Sequence, residues 1–235
     1  MASAMPMKLS LQRFTANHEG TILLNTAALQ NNSVLFAQPG FGHHVHQVTH
    51  ASSNKQKPAQ VMEIFLQPGE HYVGDHETRI RTVLGSCVSM TFWHPKKLVG
   101  GMCHYMLPTR SAERRTAGSA VVDGRYADEA IALVMQEIAA TGVLPHEFEV
   151  KMFGGGNMFP GLRKENQHVG FKNVEMARNL VKKHGFNCVA EHLGGDGHRN
   201  VLFDVWSGNV WVRQREVVAP AAMAGIQGNA ERRIS

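Results

Sequence analysis

The alternation of apolar and polar positions divides the chain into a polar N-terminal stretch, a long patterned middle and a short C-terminal stretch. From Pro58 onward, short apolar runs are separated by Gly, Pro and Asn turn signals, a pattern that predicts β-strands. The predicted strands span residues 61–66, 80–84, 87–93, 98–106, 147–153, 187–193, 200–205 and 210–214. Short turns join the first strands, which predicts that part of the sheet is antiparallel.

Two segments have the helical period instead. Apolar residues recur at three- and four-residue steps over 126–140 and share one face, and Asp123 is a candidate cap. A second helix is predicted over 173–184, where basic residues followed by Gly185 are typical of a helix end. Glycines at 194–197 predict a hairpin-type turn. Mixed strands and two main helices predict an α/β or α+β fold.

The two ends of the chain lack this periodicity. Residues 1–57 are rich in Asn, Gln, His, Ser and Thr, and 52–58 is typical of a linker. We therefore predict a disordered extension over 1–57, one domain over 58–215 and a flexible tail over 216–235. A histidine cluster lies in the extension at His43, His44, His46 and His50. A polar tract is favoured over a metal site there, because no carboxylate or cysteine completes the set at a recognised spacing.

Composition narrows the functional classes. The 235 residues include 43% hydrophobic ones, enough for a sizeable core, and no apolar run is long enough for a membrane-spanning helix or a signal peptide. Three cysteines exclude a disulfide scaffold and favour a reducing cytoplasm. The net charge of +5 comes mainly from the ends, since residues 58–213 hold 17 basic and 16 acidic groups. Without a basic stripe, we expect no nucleic-acid partner.

Cys87 is the first residue that suggests chemistry. It follows Gly85-Ser86, where a tight turn breaks a predicted strand. Such a turn can present a thiol and aim backbone N–H groups into one concavity, as a nucleophile with an oxyanion site requires. A free cysteine is nevertheless most often a small buried apolar residue, and the local pattern alone favours that reading.

His104 lies on the strand predicted to pair beside Cys87. If the two strands are antiparallel, an imidazole at 104 could take the thiol proton and lower the thiol pKa. Successive side chains on a strand point to opposite faces, so Cys103 would turn away and pack. A zinc site formed by Cys87, Cys103 and His104 is excluded for the same reason, and Cys188 is predicted to be a core residue. The glycines at 154–156 lack the Lys and Ser/Thr of a phosphate-binding loop and predict a structural turn.

Several segments together carry a more specific signal, and the chain resembles the CheD family from about residue 61 to 213. The matching segments are TVLGSCV at 82–88, GGMCHYMLP at 100–108, GRYAD at 124–128, KMFGGGNM at 151–158, and Gly194, Gly195, Arg199, Phe203 and Asp204. CheD proteins are chemoreceptor glutamine deamidases of bacterial chemotaxis. The resemblance implies an α/β sandwich fold like that of bacterial toxin deamidases.

The resemblance also implies the roles of three residues. Cys87 would be the nucleophile, His104 the general base, and a threonine upstream of the cysteine would orient the histidine. In some members that threonine stands six residues before the cysteine, where this chain has Arg81, so we assign the role to Thr82, five residues before. Backbone N–H groups near 85–88 would hold the oxyanion. No cofactor or metal is implied.

The implied reaction converts receptor glutamines to glutamates through a thioester, and glutamyl methyl esters would be hydrolysed by the same route. The implied partners are the cytoplasmic helical bundles of methyl-accepting receptors and a CheC-type phosphatase, with no nucleic acid and no membrane insertion. Arg110, Arg114 and Arg115 could steer the enzyme to acidic receptor surfaces, or could belong to an ordinary solvated loop. Two alternatives stay open: a non-catalytic adaptor, and a cysteine peptidase or acyltransferase.

Overall fold

The structure is a computed structural model that describes the backbone of residues 44–48 and all of residues 56–111, 121–159 and 168–215. These residues form ten strands and two α-helices. The strands are β1 His44–Val48, β2 Met62–Phe65, β3 His71–Gly74, β4 Thr78–Leu84, β5 Val88–His94, β6 Val99–Tyr105, β7 Glu149–Gly154, β8 Asn187–Leu193, β9 His198–Asp204 and β10 Asn209–Arg215. The helices are α1 Ala127–Ala140 and α2 Val169–His184, and a short 3₁₀ turn spans Pro145–Glu147.

The strands form two five-stranded sheets. Sheet A has the order β1-β10-β9-β4-β2, and sheet B has the order β3-β6-β5-β7-β8. The β2–β4 and β7–β8 pairs are parallel and the other pairs are antiparallel. The prediction of an α/β fold with mixed, partly antiparallel sheets and two helices is confirmed.

The sequence periodicity explains how the layers pack. Along β5, Met90 and Phe92 join a cluster with the helices, whereas Trp93 joins a second cluster with residues of sheet A. Sheet B is therefore covered on one face by α1 and α2 and on the other by sheet A. Because both faces of its central strand are covered, every residue of β5 is buried, as expected for a strand in a middle layer.

Helix α2 begins and ends at residues that supply caps, whereas the N-cap of α1 is Tyr126, whose side chain makes no cap hydrogen bond, so the prediction of Asp123 as the cap is wrong. Helix α1 starts at Ala127, one residue from the predicted start, and buries the predicted apolar face. Helix α2 begins at Val169, four residues before the predicted start, because the His168 side chain accepts a hydrogen bond from the Phe171 N–H at 3.1 Å. It ends at Gly185, which adopts the left-handed conformation.

Four connections carry the chain between the sheets, and one of them differs from its sequence prediction. The turn at 85–87 joins β4 of sheet A to β5 of sheet B, and 194–197 joins β8 of sheet B to β9 of sheet A. The prediction of a hairpin at 194–197 is wrong: Gly194, Gly195 and Gly197 have φ between 66° and 82° and redirect the chain across the sandwich. The hairpin lies between β9 and β10, where Asn209 pairs with Asp204.

Two strands were missed by the sequence analysis. Strand β3 lies at the edge of sheet B, and its four residues are too few for a clear alternation. Strand β1 pairs with β10 and lies inside the stretch predicted to be a disordered extension, so these five residues depart from that prediction. The rest of 1–55, with His43 and His50, and the tail at 216–235 lie outside the described residues. The domain boundaries at 58 and 215 stay predictions.

Candidate active site

Cys87 lies in the turn that crosses from sheet A to sheet B, and the backbone of this turn is held at three successive carbonyls. The Gly85 carbonyl accepts a hydrogen bond from Gly156 N at 2.9 Å, and the Cys87 carbonyl accepts one from Gly155 N at 2.7 Å. Between them, the Ser86 carbonyl accepts a hydrogen bond from Asn173 Nδ2 at 2.9 Å. The conformation of the turn is therefore held by groups from two other segments, the glycines after β7 and helix α2.

The glycines of 154–156 are required by this packing. A Cβ on Gly154, which has φ 110°, would stand 2.3 Å from the Cys87 carbonyl oxygen. The N–H groups of Gly155 and Gly156 donate hydrogen bonds to the Cys87 turn. This agrees with the prediction of a structural turn and leaves those groups unavailable to a phosphate.

The N–H groups of this turn face away from its bound carbonyls. Among the described residues, neither the Ser86 N–H nor the Cys87 N–H donates to a backbone carbonyl, and the Cys87 N–H favours the thiolate of its own side chain. Two neighbouring backbone donors beside a thiol are the arrangement needed to bind a developing oxyanion.

His104 lies on β6 and is brought to the same side of sheet B as Cys87. In the antiparallel β5–β6 pair, His104 is opposite Ser89, and Cys87 precedes Ser89 by two residues. Residues two apart on a strand share a face, so Cys87 and His104 are diagonal neighbours facing sheet A. Cys103 belongs instead to the cluster under the helices and is fully buried, as predicted.

Thr82 reaches His104 from the opposite sheet. Its hydroxyl oxygen lies 2.8 Å from His104 Nδ1 and also donates a hydrogen bond to the Leu66 carbonyl at 2.8 Å. A hydroxyl has one hydrogen, so a Thr82 that donates to Leu66 must accept from Nδ1–H. This arrangement assigns the imidazole hydrogen to Nδ1 and leaves the Nε2 lone pair open as a base. Arg81, the alternative position, pairs with Glu63 at 3.0 Å.

Burial sets the protonation states of this pair. Burial lowers the pKa of His104 to about 4, with a smaller opposing effect from the Leu66 carbonyl. Burial also raises the pKa of the Cys87 thiol, opposed by its own backbone N–H. The sequence analysis expected the imidazole to lower the thiol pKa, and the direction found is the opposite. At neutral pH the pair is therefore a thiol beside a neutral imidazole, not a thiolate–imidazolium pair.

Three polar atoms around the site are buried and have no hydrogen-bond partner among the described residues. They are His104 Nε2, Asn173 Oδ1 and Arg199 Nη1. Asn173 was missed as a site residue, and no motif distinguishes it from other residues of an amphipathic helix. Arg199 was noted only as part of a resemblance, although it is 1% exposed and sits beside Gly156.

Other predicted candidates lie apart from this site. Arg110 is buried and makes a bidentate pair with Glu129 at 2.9 and 2.6 Å, so its charge is neutralised, and both its assignment to electrostatic steering and its assignment to a solvated loop are wrong. Arg114 and Arg115 lie outside the described residues. Cys188 is half-buried against the helix-side cluster.

Comparison with known proteins identifies a consistent set of relatives. A family model described as CheD chemotactic sensory transduction matches residues 106–214. A protein of Pseudomonas savastanoi pv. phaseolicola, named probable chemoreceptor glutamine deamidase CheD, is 48% identical over 164 residues, which cover 69% of this chain and 90% of that protein. The probable chemoreceptor glutamine deamidase CheD 3 of Dechloromonas aromatica is 46% identical, over 66% of this chain and 89% of its own.

A more distant relative has a similar name and covers a similar share of this chain. The probable chemoreceptor glutamine deamidase CheD 1 of Leptospira interrogans is 35% identical over 68% of this chain and 97% of its own length. In the part of the chain that the structure describes, neither helix has the length and hydrophobicity needed to span a bilayer.

Proposed function

The chain belongs to the CheD family, and from this premise we propose that it deamidates glutamine side chains of chemotaxis receptors with Cys87 as nucleophile and His104 as base. The observation that carries the assignment of roles is the hydrogen bond between Thr82 and His104 Nδ1, because it leaves Nε2 as an unprotonated base on the face that Cys87 shares.

The first half of the reaction forms a thioester. The Cys87 thiol gives its proton to His104 Nε2 as the sulfur attacks the carboxamide carbon of the glutamine. The carbonyl oxygen becomes an oxyanion and accepts hydrogen bonds from the Ser86 and Cys87 N–H groups. The C–N bond then breaks, His104 returns the proton to the leaving nitrogen, and ammonia departs.

The second half releases glutamate. Water attacks the thioester carbon and gives a proton to His104 Nε2, and the same two N–H groups bind the second oxyanion. The C–S bond breaks, and the proton returns to the Cys87 sulfur. A glutamyl methyl ester follows the same route with methanol as the leaving group, so we extend the proposal to ester hydrolysis.

Thr82 is the proposed orienting residue. When Nε2 takes a proton, the imidazole carries a positive charge, and the Thr82 oxygen accepts a charge-assisted hydrogen bond from Nδ1–H. The Leu66 carbonyl keeps the hydroxyl turned so that its lone pairs face the ring. The pKa of about 4 means that His104 is already in its basic form at neutral pH.

The proposal also includes a binding partner and a cellular location. The substrate is the cytoplasmic helical bundle of a receptor, and a CheC-type phosphatase is a proposed binding partner. A cytoplasmic location is supported by the cysteines of the described residues, which are all unpaired. Binding of the purified chain to the phosphatase is the measurement that tests this partner.

The test follows receptor peptides by mass after incubation with the purified protein. We expect a gain of about 1 Da at particular glutamines and release of ammonia, both lost in Cys87→Ala and retained in the matched control Cys188→Ala. A shift that persists in Cys87→Ala would overturn the role of Cys87. Binding without any shift would instead support the adaptor function.

A further inference from the structure

Asn173 connects the turn that carries the proposed nucleophile to the strand that carries the proposed base. Its Nδ2 donates one hydrogen bond to the Ser86 carbonyl at 2.9 Å and a second to the Met106 carbonyl at 2.8 Å. Both amide hydrogens are thereby used. Ser86 precedes Cys87, and Met106 follows His104 by two residues, so one side chain of α2 fixes both segments.

The bond to Ser86 has a consequence for Cys87 because a peptide unit is planar. The Ser86 carbonyl and the Cys87 N–H belong to the same trans peptide, in which they point in opposite directions. Holding the carbonyl toward Asn173 therefore aims the Cys87 N–H away from α2. The Gly156 N–H does the same for the preceding peptide, where it holds the Gly85 carbonyl and so directs the Ser86 N–H.

Stability alone does not favour an amide at this position. Asn173 is fully buried on a helix face whose other buried residues include Val174, Ala177 and Leu180. Asparagine is a weaker helix former than the aliphatic residues alanine and leucine, and its Oδ1 is left buried without a hydrogen-bond partner among the described residues. An unpaired buried amide oxygen is unfavourable. The asparagine at this position is therefore explained by the two carbonyl groups that its amide hydrogens hold.

We propose that Asn173 is a positioning residue that sets the direction of the Cys87 N–H and so forms the oxyanion site before substrate binds. This inference rests on the proposed function. A donor that is already oriented needs no reorganisation when the oxyanion develops, and loss of one such donor typically slows acyl transfer by about 10²-fold or more.

The backbone of Asn173 provides a matched control. The Tyr105 hydroxyl donates a hydrogen bond to the Asn173 backbone carbonyl at 3.0 Å, and not to the side-chain amide that holds Ser86. Tyr105→Phe therefore perturbs the same helix turn while both amide hydrogen bonds remain. Any effect shared by Tyr105→Phe and Asn173→Ala would belong to helix packing and not to the amide.

The experiment compares two reactions of the same thiol in Asn173→Ala, Asn173→Ser, Tyr105→Phe and the parent chain. Receptor deamidation passes through an oxyanion, whereas alkylation of Cys87 by iodoacetamide displaces iodide and needs no oxyanion site. We expect kcat of Asn173→Ala to fall by about 10²-fold with KM nearly unchanged, while its alkylation rate stays within about threefold. Asn173→Ser is expected to fall between, and Tyr105→Phe to stay within about twofold.

Rates are referred to the folded fraction measured by circular dichroism, well below each unfolding midpoint, and alkylation is read at the Cys87 peptide by mass. If Asn173→Ala does not fold, Asn173→Ser carries the test. The inference is overturned if kcat stays within about twofold of the parent, if alkylation falls in parallel with kcat, or if Tyr105→Phe is equally slow. A parent chain that releases no ammonia from any receptor overturns the proposed function itself.

Discussion

The two ends of the β4–β9 strand pair bury an arginine each and treat it differently. At one end Arg79 lies opposite Asp204, and at the other Arg199 lies opposite Leu84, next to the Cys87 turn. The two residues are 6% and 1% exposed, so both guanidinium groups are buried away from solvent. The difference lies in what each group finds inside the protein.

At the Arg79 end the guanidinium and the carboxylate satisfy each other. Arg79 Nε and Nη2 donate to the two Asp204 oxygens at 2.6 and 3.1 Å, and the guanidinium lies 5.1 Å from the Trp206 ring centroid. Trp211 Nε1 donates to the same carboxylate at 3.3 Å. A buried ion pair with such geometry is costly to break at one partner.

At the Arg199 end the polar groups are only partly satisfied. Arg199 donates to His192 Nδ1 at 2.9 Å and to the Gly194 carbonyl, and within the described residues it has no carboxylate partner. Burial lowers its pKa to about 10. Native proteins hold few unpaired buried polar atoms, and Arg199 Nη1 is one of them in the described residues. The comparison teaches that the arginine at the Arg79 end stabilises the fold through its ion pair. The arginine at the Arg199 end keeps an unpaired donor beside the site.

The largest effect is expected from Arg79→Met, which leaves the Asp204 carboxylate buried without its cation. We expect a loss of about 3–5 kcal/mol in the free energy of unfolding. Urea unfolding measures it, and iodoacetamide alkylation of Cys87 in the folded variant should match the parent. A variant as stable as the parent would show that the ion pair does not hold this end together.

The second effect is the loss of folding stability at acid pH. The folded pKa of His104 is about 4, below the ordinary value of 6.5, so the unfolded state binds the proton first as pH falls. Stability is therefore fully present above about pH 6.5 and is lost down to about pH 4, by up to about 3 kcal/mol. Urea unfolding across this range should show the loss, and His104→Gln should remove that part of it. Identical pH profiles for the two proteins would contradict the assignment.

A third prediction breaks the link between the sheets at the site. Thr82→Val removes the oxygen that accepts from His104 Nδ1–H, and we expect kcat for receptor deamidation to fall by about 10- to 10²-fold. Thr82→Ser keeps the hydroxyl and is expected to stay within a few-fold of the parent. Equal rates in the valine and serine variants would exclude an orienting role for the hydroxyl.

The smallest expected effect is at the Arg199 end of the strand pair, and it tests the comparison with the Arg79 end directly. Arg199→Met removes a buried cation without leaving a buried carboxylate behind, so only its hydrogen bonds to His192 and Gly194 are lost. We expect a loss of about 1–2 kcal/mol in the free energy of unfolding, clearly less than for Arg79→Met. Urea unfolding of the two variants side by side tests this, and equal losses would show that the two ends do not differ as described.

Much of the fold was predictable because strand and helix periods are local. The strand containing His104 and the opposite facing of Cys103 follow from alternation and from the short turn between β5 and β6. The start of α2 was not predictable, since a histidine cap and a glycine in the first turn are weak signals. The crossing turn at 194–197 was taken for a hairpin because a glycine turn does not reveal which sheet its strands join.

By itself, the sequence predicted that Cys87 and His104 share a face if the segments that carry them are antiparallel neighbours, because alternate side chains along paired strands point the same way. Only the tertiary structure decided that Thr82 meets His104 and that Asn173 holds the Ser86 carbonyl. Thr82 lies in one sheet and His104 in the other, and Asn173 comes from a helix and stands 87 residues after Ser86. Contacts of this kind depend on how separate layers pack. A local pattern of side chains does not determine which residues of two layers come into contact.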